Sequence, residues 1–127
     1  MNKNPERLSR SAEDYLEAIG HLCSKCGHAQ VSEVATMLNV KKPSVTAAMH
    51  QLAEAGLISY HPYSPAVLTE QGEAYAARVI ASHNILHRFL MKMGDMTEER
   101  ADEAACLIEH ILTFEEIRTI GEKMNAL

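Results

Sequence analysis

The sequence predicts a mainly α-helical chain with one very short pair of strands, and three patterns predict it. Apolar residues recur at helical spacing in six stretches, bounded by capping or helix-ending residues. After the third stretch, Leu57-Ile58-Ser59-Tyr60-His61 and Ala66-Val67-Leu68-Thr69 flank the turn Pro62-Tyr63-Ser64-Pro65, as two short strands around a proline-punctuated turn do. No apolar run approaches the ~18 residues that span a bilayer, and no basic segment leads into an apolar one at the N-terminus, so a soluble, cytoplasmic protein with no membrane partner is expected.

In chain order, Ser11-x-x-Asp14 has the form of a capping box, and Tyr15, Ile19, Leu22 and Cys26 follow at helical spacing until Gly27. Ser32 is placed to cap a short second helix carrying Val34, Ala35 and Leu38, with Asn39 as a left-handed terminator. After a turn at Val40-Lys41-Lys42, Pro43 suits the first turn of a third helix, where its missing N–H costs nothing. Val45, Ala48, Met49 and Leu52 make the buried stripe of that helix, and Gly56 closes it. Two short helices joined by a tight turn and followed by a two-stranded wing make a winged helix-turn-helix. Thr69 then caps a long helix to about Met93, with Ala74, Ala77, Ile80, Ala81 and Ile85 on its apolar side and Gly94 at its end. Thr97 opens a helix bearing Ala101, Ala104, Ala105, Leu107, Ile108 and Ile111, and Thr113-x-x-Glu116 opens a last short one. The expected division is a winged helix-turn-helix over residues 1–70 and a helical dimerisation and metal-binding region over 71–127. The later helices are too few for a thick core of their own, which points to a homodimer burying their shared apolar face.

The 127 residues carry a net charge of −5, an unpromising total for meeting nucleic acid. The distribution matters more. Met1 to His61 holds six bases and six acids, whereas Pro62 onward holds six bases and eleven acids. The first half is free to meet phosphate, and the second suits cations. Three cysteines in a chain without a secretory leader read as thiols or metal ligands rather than a disulfide framework. Cys23-x-x-Cys26 followed by His28 is a lone pair of thiols, which more simply ends a helix than binds zinc.

Two groups of residues carry chemistry. The third helix begins Lys41-Lys42-Pro43-Ser44-Val45-Thr46-Ala47, whose lysines are placed for DNA phosphates at a helix N-terminus. Ser44, Thr46, Ala47 and His50 lie opposite the buried stripe and can meet base edges and thymine methyls, with much of the discrimination left to DNA shape. The wing lacks Lys and Arg. An exposed polar face is also what any amphipathic helix has, and winged helices also dock proteins.

The second group is Cys106-x-x-Glu109-His110, a thiol, a carboxylate and an imidazole at i, i+3 and i+4, expected on one face of one helix. A buried Glu is costly unless a cation faces it. Asp14 and Glu17 form a distant acidic pair, each with an ordinary alternative as a capping or surface acid. His83 and His87 are spaced i, i+4, as metal-binding and ordinary surface histidines both are. The mixed donors leave the metal open between Mn2+ and Fe2+, with Co2+, Ni2+ or Zn2+ as substitutes in vitro. Cys106 and His110 have no oxyanion-stabilising loop or Gly-rich motif nearby, which argues against an enzyme.

The chain resembles the DtxR/MntR family of metal-dependent transcriptional repressors over nearly its whole length. The shared residues are Glu13-Asp14-Tyr15-Leu16-Glu17, Pro43-Ser44-Val45-Thr46, Leu68-Thr69 with Gly72, His83, and Cys106-x-x-Glu109-His110. The resemblance implies a homodimer that binds double-stranded operator DNA when loaded with Mn2+ or Fe2+, with Asp14, Glu17, His83, Cys106, Glu109 and His110 at ligand positions. Asp14 and Glu17 are similar to the manganese-responsive branch and Cys106 to the iron-responsive one. His87 with Asp102 falls near an ancillary site of the iron branch, although His87 stands where that branch has an acid. The sequence ends without the SH3-like domain of the iron regulators. The alternative is a metal-independent winged-helix regulator that responds to a small ligand or a protein partner.

Overall fold

A computed structural model of the chain describes residues 7–127. Their elements are α1 (Arg10–Cys26), α2 (Val31–Leu38), α3 (Lys42–Glu54), β1 (Ile58–Ser59), β2 (Val67–Leu68), α4 (Glu70–Gly94), α5 (Glu98–Ile108) and α6 (Phe114–Asn125). The residues fall into two units, an N-terminal one of Leu8–Ala77 and a C-terminal one that joins Arg7 to Arg78–Leu127. Among the described residues no helix is long and apolar enough to cross a membrane.

The N-terminal unit is the expected winged helix-turn-helix. Leu16, Ile19, Val34, Val45, Met49 and Leu52 are fully buried in one core shared by α1, α2 and α3. Asn39 takes the left-handed conformation, φ 56°, that turns α2 into α3, and Pro43 lies in the first turn of α3. β1 and β2 pair antiparallel with Ile58 opposite Leu68 and Ser59 opposite Val67, shorter than the runs suggested. Ala29 adds a bridge to Ala66 through two hydrogen bonds of 2.8 Å.

Two helix starts differ from the expectation. The α1 cap is Ser9, whose side chain accepts from the N–H of Ala12, so Ser11 already lies within the helix. A start at Ser11 would forgo the helical bond from the Glu13 N–H to the Ser9 carbonyl; the Glu13 side chain is wholly buried. That carboxylate accepts a 2.5 Å hydrogen bond from the Tyr75 hydroxyl, as a buried charge requires. Gln30 rather than Ser32 caps α2, because Gln30 and Glu33 exchange side-chain and backbone hydrogen bonds as a reciprocal box.

In the C-terminal unit Leu86, Ala105 and Ile117 are buried, with Ile85, Leu90, Ile108, Leu112 and Ile120 packed against them. Thr97 and Thr113 cap α5 and α6 as expected. The apolar side of α4 is corrected. Gly72, Ala76, Val79, Ser82 and Leu86 are buried, whereas Ala74, Ala77 and Ala81 are exposed and Ile80 is 53% exposed. Alanine is compatible with either side of a helix, so an alanine-rich stripe fixes its rotation poorly, and Val79 and Leu86, seven residues apart, set it instead. Ile80, Leu107 and Ile111 remain as exposed apolar side chains.

Gly72 lets α4 start against β1. A Cβ there would lie 1.9 Å from the Leu57 carbonyl oxygen, a backbone atom that itself accepts from the Thr69 N–H at 3.1 Å. Gly72→Ala is therefore expected to destabilise the protein by about 3 kcal/mol, the upper part of the overpacking range. At Gly20, within α1, an added Cβ meets Leu68 and Ala76 carbons at 3.6 and 3.7 Å, ordinary contacts. Gly20→Ala should stabilise by ~0.5–1 kcal/mol through helix propensity. Urea unfolding of the two variants checks both signs.

Candidate functional site

The C-terminal unit brings four of the sequence-selected side chains around one buried carboxylate. His83 projects from α4, Asp102 and Cys106 stand one turn apart on α5, and Glu109 is the C-cap residue of α5. Helix α5 ends at Ile108 with Glu109 as its C-cap, still helical in backbone and bonded from its N–H to the Ala105 carbonyl, and His110 lies in the turn that follows. The chain has to leave α5 here to reach the Thr113 cap of α6, and this turn points the Glu109 carboxylate inward.

Glu109 is 2% exposed. His83 Nδ1 donates to its Oε1 at 2.6 Å, and His110 Nε2 lies 3.5 Å from its Oε2. On the opposite edge of the His83 ring, Nε2 lies 2.9 Å from Asp102 Oδ1. Cys106 Sγ is 3.9 Å from His83 Nδ1. Both ring nitrogens of His83 thus face carboxylate oxygens, an arrangement that favours the imidazolium. Burial opposes a charge on the ring, but the hydrogen bonds to Glu109 and Asp102, with their negative charges, outweigh it and raise the His83 pKa above 6.5. The ring thus holds the position of a cation between carboxylates.

The donor atoms of His83, Asp102 and Cys106 all lie within 4.8 Å of one another. One imidazole, one carboxylate and one thiol, with the buried Glu109 carboxylate beside them, fit a divalent transition metal, which replaces the protons of the ring and thiol. His87 stacks on His83, ring centroids 6.1 Å apart and planes at 18°. With Asn84 and Asp102 it lines an open groove that also takes in Glu98 and Glu99 from the first turn of α5. Sequence reasoning misses those two acids, which read there only as the acidic first turn behind the Thr97 cap. Asp14 and Glu17 lie half-buried on α1, in the N-terminal unit.

On α3, Lys41, Lys42, Pro43, Ser44, Ala47 and His50 are exposed and Thr46 is half-buried, opposite buried Val45, Ala48, Met49 and Leu52. The His50 ring meets Tyr60 edge-on, centroids 5.4 Å apart, which ties the exposed face of α3 to the base of the wing. At the wing tip Tyr63 is fully exposed with φ 66°. In the C-x-x-C pair, Cys23 is half-buried and directs its thiol at the Ala66 carbonyl, 3.8 Å away, while Cys26 is exposed. Burial raises the Cys23 pKa, the direction opposite to a reactive thiol.

Comparison with known proteins gives matches over nearly the whole chain. Residues 7–66 match the family described as iron dependent repressor, N-terminal DNA binding domain, and residues 69–127 the iron dependent repressor, metal binding and dimerisation domain. An uncharacterised HTH-type transcriptional regulator of Methanocaldococcus jannaschii is 36% identical over 110 residues, 85% of this chain and 87% of that protein. The HTH-type transcriptional regulator MntR of Oceanobacillus iheyensis is 35% identical over 115 residues, 91% of this chain and 78% of its own. The crystal structure of IdeR from T. acidophilum superposes with a TM-score of 0.73 at 28% identity, covering 98% of this chain, which spans 56% of that one.

The raised pKa has a testable sign. With the folded value above 6.5, the His83 interactions stabilise the metal-free protein fully below pH 6.5, and that stabilisation disappears as pH rises through the folded value. An NMR titration of the metal-free protein should place the His83 midpoint above 6.5, and Glu109→Gln should bring it down. A wild-type midpoint at or below 6.5 contradicts the ion-pair geometry.

Proposed function

This chain belongs to the iron dependent repressor family, whose two parts it matches in order, and from that premise we propose that it is a metal-activated, DNA-binding transcriptional repressor of metal-homeostasis genes. The family is one of transcriptional regulators, not enzymes. The observation that carries the metal reading is the buried Glu109 carboxylate packed against His83 among Asp102, Cys106 and His110. The proposed ligands are Asp14, Glu17, His83, Cys106, Glu109 and His110, with His87 and Asp102 for a second ion. The proposed division is DNA reading by residues 1–70 and metal binding with dimerisation by residues 71–127. The protein acts as a cytoplasmic homodimer, and Ile80, Leu107 and Ile111 are exposed apolar side chains that a second copy can cover.

When bound, Mn2+ or Fe2+ supplies a double positive charge to this set of carboxylates. His83 and Glu109 would hold the ion through a deprotonated ring nitrogen and a carboxylate oxygen, so binding would compete with protons at this site. Asp14 and Glu17 stand on α1, the helix packed against α2 and α3, so ligation there restrains the element that carries the DNA-reading face. Lys41 and Lys42 meet phosphate at the start of α3, and Ser44, Thr46, Ala47 and His50 face the bases. In a dimer, two such helices reach half-sites about 34 Å apart. Linkage requires operator DNA to raise metal affinity by the factor by which metal raises DNA affinity.

A titration against random duplexes with and without Mn2+ or anaerobic Fe2+ tests the reading. Metal should tighten retention of a palindromic site by ~5–150-fold, and Glu109→Ala should remove that gain. Equal binding with and without metal would favour the metal-independent regulator, and no binding at all a protein-docking module. Replacing both Lys41 and Lys42 with Ala should weaken all duplexes alike. The slope of log affinity against log salt concentration should become shallower by about one for each phosphate no longer engaged.

A further inference from the structure

Arg7 immediately precedes the N-terminal unit yet belongs to the C-terminal one. Its guanidinium donates from Nη1 to the Leu112 carbonyl at 2.7 Å and from Nη2 to the Glu109 carbonyl at 2.9 Å. Its Cζ also lies 4.0 Å from the centroid of the Phe114 ring, at the first residue of α6. One side chain therefore spans the whole connection from the C-cap of α5 to the start of α6. The Glu109 and Leu112 carbonyls have left the regular ladder of α5, and a planar, permanently charged fork suits two such acceptors together.

The residue whose carbonyl Arg7 holds is the one whose carboxylate is buried against His83. The turn is three residues between Glu109 and the Thr113 cap, held by backbone bonds from Ile111 and Leu112 to the Ile108 carbonyl and by the packing of Leu112, with Ile111 78% exposed. Arg78 lies over the same Phe114 ring, 4.2 Å from its centroid, and is a natural comparison because the ring contact is shared. The chain passes between the two units at Arg7–Leu8 and at Ala77–Arg78, so an arginine on Phe114 stands at each crossing.

We propose that Arg7 is a positioning residue for the metal centre: by clamping the Glu109 and Leu112 carbonyls it fixes the turn that presents Glu109 and His110, and so sets metal affinity without touching the ion. The inference rests on the metal reading above. It assigns a role to a residue outside every ligand motif, and it makes the chain segment entering α1 responsive to the order of the ligand turn.

The test uses the full chain and Co2+ as a spectroscopic probe, in wild type, Arg7→Ala, Arg7→Lys and Arg78→Ala, with amide hydrogen exchange measured on the metal-free proteins. Arg7→Ala should speed exchange at residues 110–113, weaken Co2+ binding by roughly 10–100-fold, the usual effect of removing an outer-shell partner, and change the visible Co2+ spectrum. Arg7→Lys should recover only part of the affinity, since an ammonium lacks the fork. Arg78→Ala should stay near wild type in affinity and spectrum. Wild-type Co2+ affinity and spectrum in Arg7→Ala would overturn the inference alone, as would an equal weakening in Arg78→Ala, which would reduce the effect to Phe114 packing. Absence of Co2+ uptake by the wild type would overturn the metal reading and this inference with it.

Discussion

A carboxylate with 2% exposure is the constraint on which the C-terminal unit depends. Removing a carboxylate from water is expensive unless a positive partner and hydrogen bonds replace the solvent. Glu109 has His83 at 2.6 Å, and His83 has Asp102 at 2.9 Å on its other nitrogen. Each of these groups alone in that place would be unfavourable. Together they require α4, α5 and the turn after α5 to keep one arrangement, although the apolar cluster beneath them is small, built on Leu86, Ala105 and Ile117. Polar complementarity thus supplies specificity that so small a cluster cannot supply alone.

The same arrangement explains how a site can be stable without metal and still accept it. A histidine between two carboxylates, its pKa raised by them, eases in the metal-free state the charge repulsion that a divalent ion would relieve more strongly. The N-terminal unit is built on a different principle. Its larger core fixes α1, α2 and α3, and the buried Glu13 within that unit is satisfied by Tyr75. The exposed face of α3 is held by apolar packing, and Asp14 and Glu17 lie half-buried on α1.

Much of this is legible in the sequence wherever the residue type admits one role. Asn39, Pro43, Thr69, Thr97 and the Thr113/Glu116 box mark their boundaries because left-handed turns, first-turn prolines and N-caps each select few residues. Ser9 and Ser11 compete as caps on local pattern alone, and the backbone bonds from Ala12 to the Ser9 side chain and from Glu13 to the Ser9 carbonyl decide between them. The rotation of α4 is illegible for a related reason, since its alanines fit core and surface equally and Val79 beside Ile80 reads the same either way. The residues around Glu109 are recognisable by type. Their placement is not, because the end of α5 at Ile108 depends on the turn to α6, and Asp102 joins His83 only through the packing of α5 on α4. Arg7 has no local signal at all, as its partners are carbonyls more than 100 residues away.

The most direct test of the central claim is a crystal structure of the Mn2+-loaded protein with anomalous diffraction data. An anomalous peak within bonding distance of both Glu109 and His83, with the hydrogen bond between them broken, is the predicted result. A density map that keeps the His83–Glu109 hydrogen bond and places no ion there, in protein saturated with Mn2+, would contradict it.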